Sequence, residues 1–327
     1  MIKKEKVAFF KDLKVGYEAG NKEEYSGRKS ELENQYWYQE IAVAHIEDIS
    51  SKKNINIGLV GYVCDEGVQR NQGRIGARKG PKSVRNKLGK LPIHHTTKKI
   101  IDFGDVICLD TYLEDCQKAL SKTISALIKQ HVLPVAIGGG HDIAYANFNG
   151  IKDAIKNISK NKIGIINFDA HFDLRAVETA ANSGTPFNQI LSENDTVSYF
   201  AIGIQQQSNT KELFEIAEKH KVSYVSNFEC ETFSENLKIK LNAFIKNVDY
   251  LYVTIDLDGF SSAYAPGVSA PSPLGFAPLF VYKVLAYVFA SKKVISCDIA
   301  ELNPDFDTDE QTASLAAKLI DYIVQNT

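Results

Sequence analysis

The sequence predicts an α/β protein built on a mainly parallel sheet with helices on both faces. From about residue 51 onward, short apolar runs alternate with amphipathic stretches, which is the pattern of strand and helix taken in turn. The apolar runs are near-continuous rather than alternating, as strands buried on both faces are. A chain of 327 residues fits one such sheet covered on both sides, so residues 51–327 read as a single catalytic domain.

Residues 1–50 are polar, charged and aromatic without a clean period, and the expectation there is a surface arm. The runs that read as strands follow in order: Ile55–Tyr62, Lys99–Phe103, Leu133–Ile137, Ile163–Phe168, Tyr199–Ile204, Val222–Val225, Tyr250–Ile255 and Val294–Asp298. Helix-like stretches lie between several of them, among them Tyr112–Gln130, Asn209–His220, Ser234–Lys246 and Pro278–Ala290. No internal repeat and no low-complexity linker is found. In sheets of this kind ligands sit beyond the carboxyl ends of the strands. A functional motif should therefore fall just after a strand run.

Acidic and basic residues nearly balance, 40 against 38, so no field gathers polyanions and nucleic acid is excluded as a partner. A small molecule is expected instead. The five cysteines Cys64, Cys108, Cys116, Cys230 and Cys297 are odd in number, scattered and without a C-x-x-C pair. They argue for a reducing compartment and against a disulfide framework or zinc ribbon. The apolar run Val7–Phe10 is too short for a signal core, and no 18-residue apolar stretch exists. A cytoplasmic protein with no membrane partner is expected.

Three segments pass the strand-end test: Gly138-Gly-Gly-His141-Asp142, Asp169-Ala-His171-Phe-Asp173 and Asp256-Leu-Asp258. Alternate residues of an extended chain project to one side about 7 Å apart, so Asp256 and Asp258 can reach one site. Asp169 and Asp173 would be about 13 Å apart in a straight strand, so the chain must curl at Ala170–Phe172. Each segment alone has a bland reading. His141 could be a turn histidine, the glycines a phosphate cradle without its usual motif, and Asp256 and Asp258 caps of the next loop. Together they would crowd several carboxylates without a cation, which like-charge repulsion makes costly. Carboxylates with two imidazoles form a hard donor set suited to Mn²⁺ or Mg²⁺. Six ligands exceed one four-coordinate ion but suit two ions about 3.5–4 Å apart that share carboxylates and acidify a bridging water.

These residues carry a resemblance. Gly-Gly-Gly-His141, Asp169-Ala-His171-Phe-Asp173, Asp256-Leu-Asp258-Gly and Glu301-Leu-Asn-Pro304 resemble the ureohydrolase family of arginase, agmatinase and formimidoylglutamase, from about Ile57 to Ala317. Within that family, Asn167–Arg175, Ser183–Phe187, Cys64–Val68 with Arg70–Arg74, and Ala265–Pro271 are most similar to the formimidoylglutamases. The resemblance implies a three-layer α/β/α, arginase-like fold with about eight strands, two manganese ions per subunit and an oligomer. It implies that His141, Asp169, Asp173 and Asp256 hold one ion and Asp169, His171, Asp256 and Asp258 the other. Glu301 would meet the cationic C–N group of the substrate, and Asp173 would pass a proton to the departing amine. The implied reaction is hydrolysis of N-formimidoyl-L-glutamate to L-glutamate and formamide, in histidine degradation, by hydroxide bridging the two ions.

Arginases carry a His where Phe187 stands and an Asn where Arg175 stands. Phe187 cannot relay a proton, which weakens an arginase reading. Arg175 disfavours a cationic substrate tail and suits a carboxylate, which its planar fork can hold through two hydrogen bonds. An ion pair with a nearby Asp is the bland alternative for Arg175. Gly67, Gly73, Gly76 and Gly80 among Arg70, Arg74 and Arg78 suggest a loop over the strand ends. There one or more of Arg70, Asn71 and Arg74 would bind a second carboxylate or close the pocket, an oligomer contact being the alternative for the same residues, and Ser183 is a further expected substrate contact. The rival readings are a guanidino-compound hydrolase releasing urea (guanidinobutyrase, agmatinase or arginase), and a silent, metal-stabilised binding protein.

Overall fold

The computed structural model describes residues 7–94, 97–155 and 161–327. All eight apolar runs become strands. These are β3 (Ile57–Val63), β4 (Ile100–Cys108), β5 (Leu133–Ile137), β6 (Ile163–Phe168), β7 (Val197–Ile204), β8 (Ser223–Ser226), β9 (Tyr250–Asp256) and β10 (Val294–Ala300). They run parallel to one another, in the order β4-β3-β5-β10-β9-β6-β7-β8. Parallel neighbours need crossovers, and helices supply many of them. The four expected helices are present as Leu113–Lys129, Lys211–Lys219, Glu235–Lys246 and Pro278–Phe289.

Two buried apolar clusters flank the sheet. One gathers Val135, Ile137, Phe168, Val253 and Ile299 with residues of the Pro278–Phe289 and Gln311–Asn326 helices. The other gathers Val60, Ala136, Ile165 and Tyr252 with residues of the Leu113–Lys129 and Ile143–Ala154 helices. Adjacent residues of one strand, such as Val135 and Ala136, fall in opposite clusters because side chains alternate between the two faces. The three-layer α/β/α arrangement follows.

Of residues 1–50, expected as a surface arm, 1–6 lie outside the described residues and 7–50 pack onto the sheet. Residues 15–18 form β1 (Val15–Glu18), antiparallel to the end of β4, and Ala42–Val43 forms β2, parallel to its start. The described residues thus form a ten-stranded sheet. Trp37 and Ile46 are wholly buried. These strands are too short to show a period, and they are held by the otherwise open edge of β4. A buried ion network also ties this segment down. Arg85, 1% exposed, meets Asp102 at 2.7 Å, Asp105 at 2.7 Å and Glu24 at 3.2 Å.

Candidate metal centre and active site

Four neighbouring strands, β5, β10, β9 and β6, deliver the site from their carboxyl ends. After β5 the chain turns through Gly138 (φ +87°) and Gly139 (φ +73°) to His141. A Cβ at Gly139 would stand 2.8 Å from the Tyr62 carbonyl oxygen, so the turn requires glycine. Past β6, Asn209 holds the curl at 170–172. Its Nδ2 donates to the Ala170 carbonyl and its Oδ1 accepts the Phe172 N–H, both at 2.9 Å. β9 ends in Asp256, whose Oδ1 accepts the Asp258 N–H at 2.8 Å and so makes the turn that brings Asp258 back. Glu301 follows β10. Asp173 and Glu301 sit at φ +48° and +68°, a region costly for residues other than glycine and often found at functional sites.

All six expected ligands converge. The ligating atoms of His141, Asp169, Asp173 and Asp256 lie within 4.8 Å of one another, as do those of Asp169, His171 and Asp258. His141 Nδ1 is 2.8 Å from Asp173 Oδ2 and 3.1 Å from Asp169 Oδ2 and Asp256 Oδ2. His171 Nδ1 is 3.1 Å from Asp258 Oδ2 and 3.5 Å from Asp169 Oδ1. Asp169 is thus common to both groups. Asp256 is gathered with the first group.

The imidazole of His141 is fixed from behind. Its Nε2 lies 2.9 Å from Thr254 Oγ1, and that hydroxyl donates to Asp298 Oδ1 at 2.5 Å. Asp298 also accepts from Tyr252 and from Asn147 Nδ2. With the Thr254 proton committed to Asp298, Nε2 is the donor, which turns the Nδ1 lone pair toward three carboxylates. Asn167 Nδ2 similarly donates to Asp169 Oδ2 at 3.0 Å.

The titration behaviour of the cluster shows what it lacks by itself. Burial, then Asp258 and Asp169, push Asp256 well up. Burial and Asp169 raise Asp173 to about 6, and burial and Asp258 raise Glu301 to about 8. Burial lowers both imidazoles, yet the carboxylates around them reverse this and raise His141 and His171 well above their usual value. So much buried negative charge must be neutralised by protons or by cations. Asp258 Oδ1 has no hydrogen-bond partner, which leaves it a lone pair for a cation. The nitrogen and oxygen donor set fits hard divalent ions such as Mn²⁺.

A cavity of about 310 Å³ opens onto this cluster, lined also by Asn71, Arg74, Arg175, Ser183 and Glu301. Glu301 Oε1 accepts the His141 N–H at 2.9 Å, while Oε2 is buried with no hydrogen-bond partner. Arg175 is exposed and borders both this cavity and a wider outer cleft of about 570 Å³. It makes no ion pair among the described residues, so the alternative of a pair with a nearby Asp is not realised there. Phe187 packs edge-on against His141, with ring centres 5.4 Å apart, and stacks on Tyr199.

The Arg70–Arg74 segment departs from expectation. Glu66–Arg70 is a helical turn rather than loop. Gly67 is there for close approach, since its Cβ would stand 2.0 Å from Asp142 Oδ1. Arg70 is consumed by Glu66 at 2.9 Å and Glu114 at 2.6 Å, with further bonds to the Thr111 and Ala181 carbonyls. It lines the outer cleft and not the inner cavity, so a substrate carboxylate would have to displace these partners. Arg74 donates to the Val268 and Ser269 carbonyls and stacks on Phe306, which makes it a wall of the cavity. Asn71 Nδ2 donates to Ser183 Oγ at 3.1 Å.

Sequence reasoning missed Thr254, Asp298 and Asn209. Thr254 stands two residues before Asp256 and so faces the same side of β9, a usable signal. Asp298 and Asn209 act across strand and loop packing that no local pattern encodes.

A parallel α/β sheet whose central strands end in a paired histidine and aspartate cluster defines a metal-dependent hydrolytic enzyme. The chain belongs to the arginase family, whose model matches residues 55–325. Among curated relatives, a formimidoylglutamase of Clostridium tetani is 40% identical over 94% of this chain and 95% of its own length. One of Geobacillus sp. is 40% identical over 92% and 94%. Among solved structures, the formimidoylglutamase of Bacillus subtilis superposes with a TM-score of 0.82 at 22% identity, covering 92% of this chain and 94% of that one. A Trypanosoma cruzi formiminoglutamase with Mn²⁺ gives 0.75 at 24%, covering 86% and 98%. These structures share the fold.

Proposed function

We propose that this enzyme hydrolyses N-formimidoyl-L-glutamate to L-glutamate and formamide, with two manganese ions held by His141, Asp169, His171, Asp173, Asp256 and Asp258. The observation that carries the reading is a carboxyl group and a guanidinium that line one cavity. The buried Glu301 Oε2 has no hydrogen-bond partner, and the exposed Arg175 forms no ion pair among the described residues. An amidinium at one end and a carboxylate at the other would satisfy both. Relatives about 40% identical over nearly the whole chain carry the same activity in their names.

When bound, the two ions supply Lewis acidity and a water acidic enough to act as nucleophile at neutral pH. Glu301 holds the amidinium so that its carbon faces the cluster, which contributes proximity. Asp173 takes a proton from the attacking water and delivers it to the glutamate nitrogen as the C–N bond breaks. The water oxygen ends in formamide. Arg175 fixes a substrate carboxylate, and Asn71 with Ser183 offers polar contacts for the second. Phe187 and Tyr199 close the apolar side behind His141. The five cysteines, all free and buried, support a reducing, cytoplasmic setting. Among the described residues no helix is long and apolar enough to cross a membrane.

The guanidino rival also places a cation on Glu301, and 4-guanidinobutanoate would satisfy Arg175. Comparing kcat/KM for formimidoylglutamate, 4-guanidinobutanoate, agmatine and arginine separates them. The reading requires formimidoylglutamate to lead by at least tenfold, and a guanidino substrate in first place overturns it.

A further inference from the structure

A second cluster of metal-ligating side chains lies outside the site above. The sulfurs of Cys64, Cys108 and Cys116 are all within 4.8 Å of one another. Cys64 follows β3, Cys108 ends β4 and Cys116 lies in the first turn of the Leu113–Lys129 helix. The register of Val63 with Ile107 sets Cys64, just past β3, near Cys108 at the end of the neighbouring β4. Each is at most 3% exposed, and none forms a disulfide. A single buried cysteine commonly packs as a small apolar group. Three sulfurs converging from three segments form a donor set. The Cys116 and Cys64 thiols hydrogen-bond to Cys108 and hold its thiol below the usual value, which favours its thiolate as a donor.

We propose that Cys64, Cys108 and Cys116 form a binding site for a soft d¹⁰ cation of the Cu(I) type. All-sulfur donors select soft ions. Zinc completes four donors, whereas this group has three among the described residues, which suits a three-coordinate ion. Binding displaces thiol protons and leaves the copper as Cu(I), so no oxidant or reductant is consumed. The Cys64 carbonyl accepts the Gly140 N–H at 3.2 Å, one residue before His141. The ion would therefore lie directly behind the active-site turn.

The test uses manganese-loaded enzyme, reduced and under nitrogen, titrated to equilibrium with Cu(I) held by bicinchoninate, with Zn(II) titrated in parallel. The wild type should withdraw one equivalent of Cu(I) and develop near-ultraviolet sulfur-to-copper charge transfer. Cys116→Ala, a small change within a helix, should keep hydrolytic activity and lose that band. Cys108→Ser serves as the second variant should Cys116→Ala fail to fold. Absence of the band in the wild type, its persistence in the variants, or uptake of Zn(II) in place of Cu(I) at these sulfurs would overturn the proposal.

Discussion

The Nε2 of His141 lies 2.9 Å from the hydroxyl of Thr254, and the same hydroxyl donates to Asp298. Thr254 thus decides which imidazole nitrogen faces the carboxylates. Thr254→Val keeps the shape and removes the acceptor. It should weaken manganese binding by about 10–100-fold, as loss of an outer-shell partner does, while leaving the fold intact. Calorimetric titration of metal-stripped protein reads the affinity. Unchanged affinity would detach Thr254 from the metal centre.

Chelation should abolish turnover, and added Mn²⁺ should restore it. It should also lower thermal stability, because the buried carboxylates are then neutralised by protons alone. Saturating metal at about 100 times its Kd contributes about 2.7 kcal/mol per site, so Tm should rise by several degrees on reloading. Scanning calorimetry with chelator and with Mn²⁺ reads the difference.

Arg175 carries the substrate preference in this account. Arg175→Ala should cost about 1.5–3 kcal/mol, the range for a hydrogen bond to a charged group, or about 10–100-fold in kcat/KM. The loss should fall chiefly on KM. Equal kcat and KM in wild type and variant for formimidoylglutamate would remove Arg175 from the binding role.

Arg85 tests the integration of the N-terminal segment. Removing a buried cation from Asp102, Asp105 and Glu24 leaves carboxylates unpaired, and Arg85→Ala should lose about 3–5 kcal/mol. Urea denaturation measures this. A loss within about 0.5 kcal/mol, as at an ordinary surface site, would show that the network does not hold residues 7–50 to the sheet.

How much of this was legible depended on whether the signal was local. β3 and β5–β10 appear as largely apolar runs, and the ligands stand at or just after the ends of β5, β6 and β9. β4 extends to Cys108, past the run expected to end at Phe103. Gly104 (φ +81°) and Asp105 interrupt its apolar pattern, and Asp105 is tolerated because Arg85 pairs with it. β1 and β2 owe their existence to β4 rather than to a pattern of their own. Arg70 looked like a substrate ligand because its side chain chemistry suits one. Its partner Glu114 is 44 residues away, and only the packing of the Leu113–Lys129 helix brings the two together. Asp298 reaches His141 through Thr254 because β9 and β10 are neighbours in register, a fact of topology that no window of sequence contains.

The most direct measurement is which C–N bond breaks and where the water oxygen goes. Manganese-loaded enzyme is given N-formimidoyl-L-glutamate in water enriched in heavy oxygen, and the products are separated by mass spectrometry. The account requires formamide carrying the heavy oxygen together with unlabelled free glutamate. Labelled N-formylglutamate with ammonia, or no cleavage of this substrate while a guanidino compound yields urea, would contradict it.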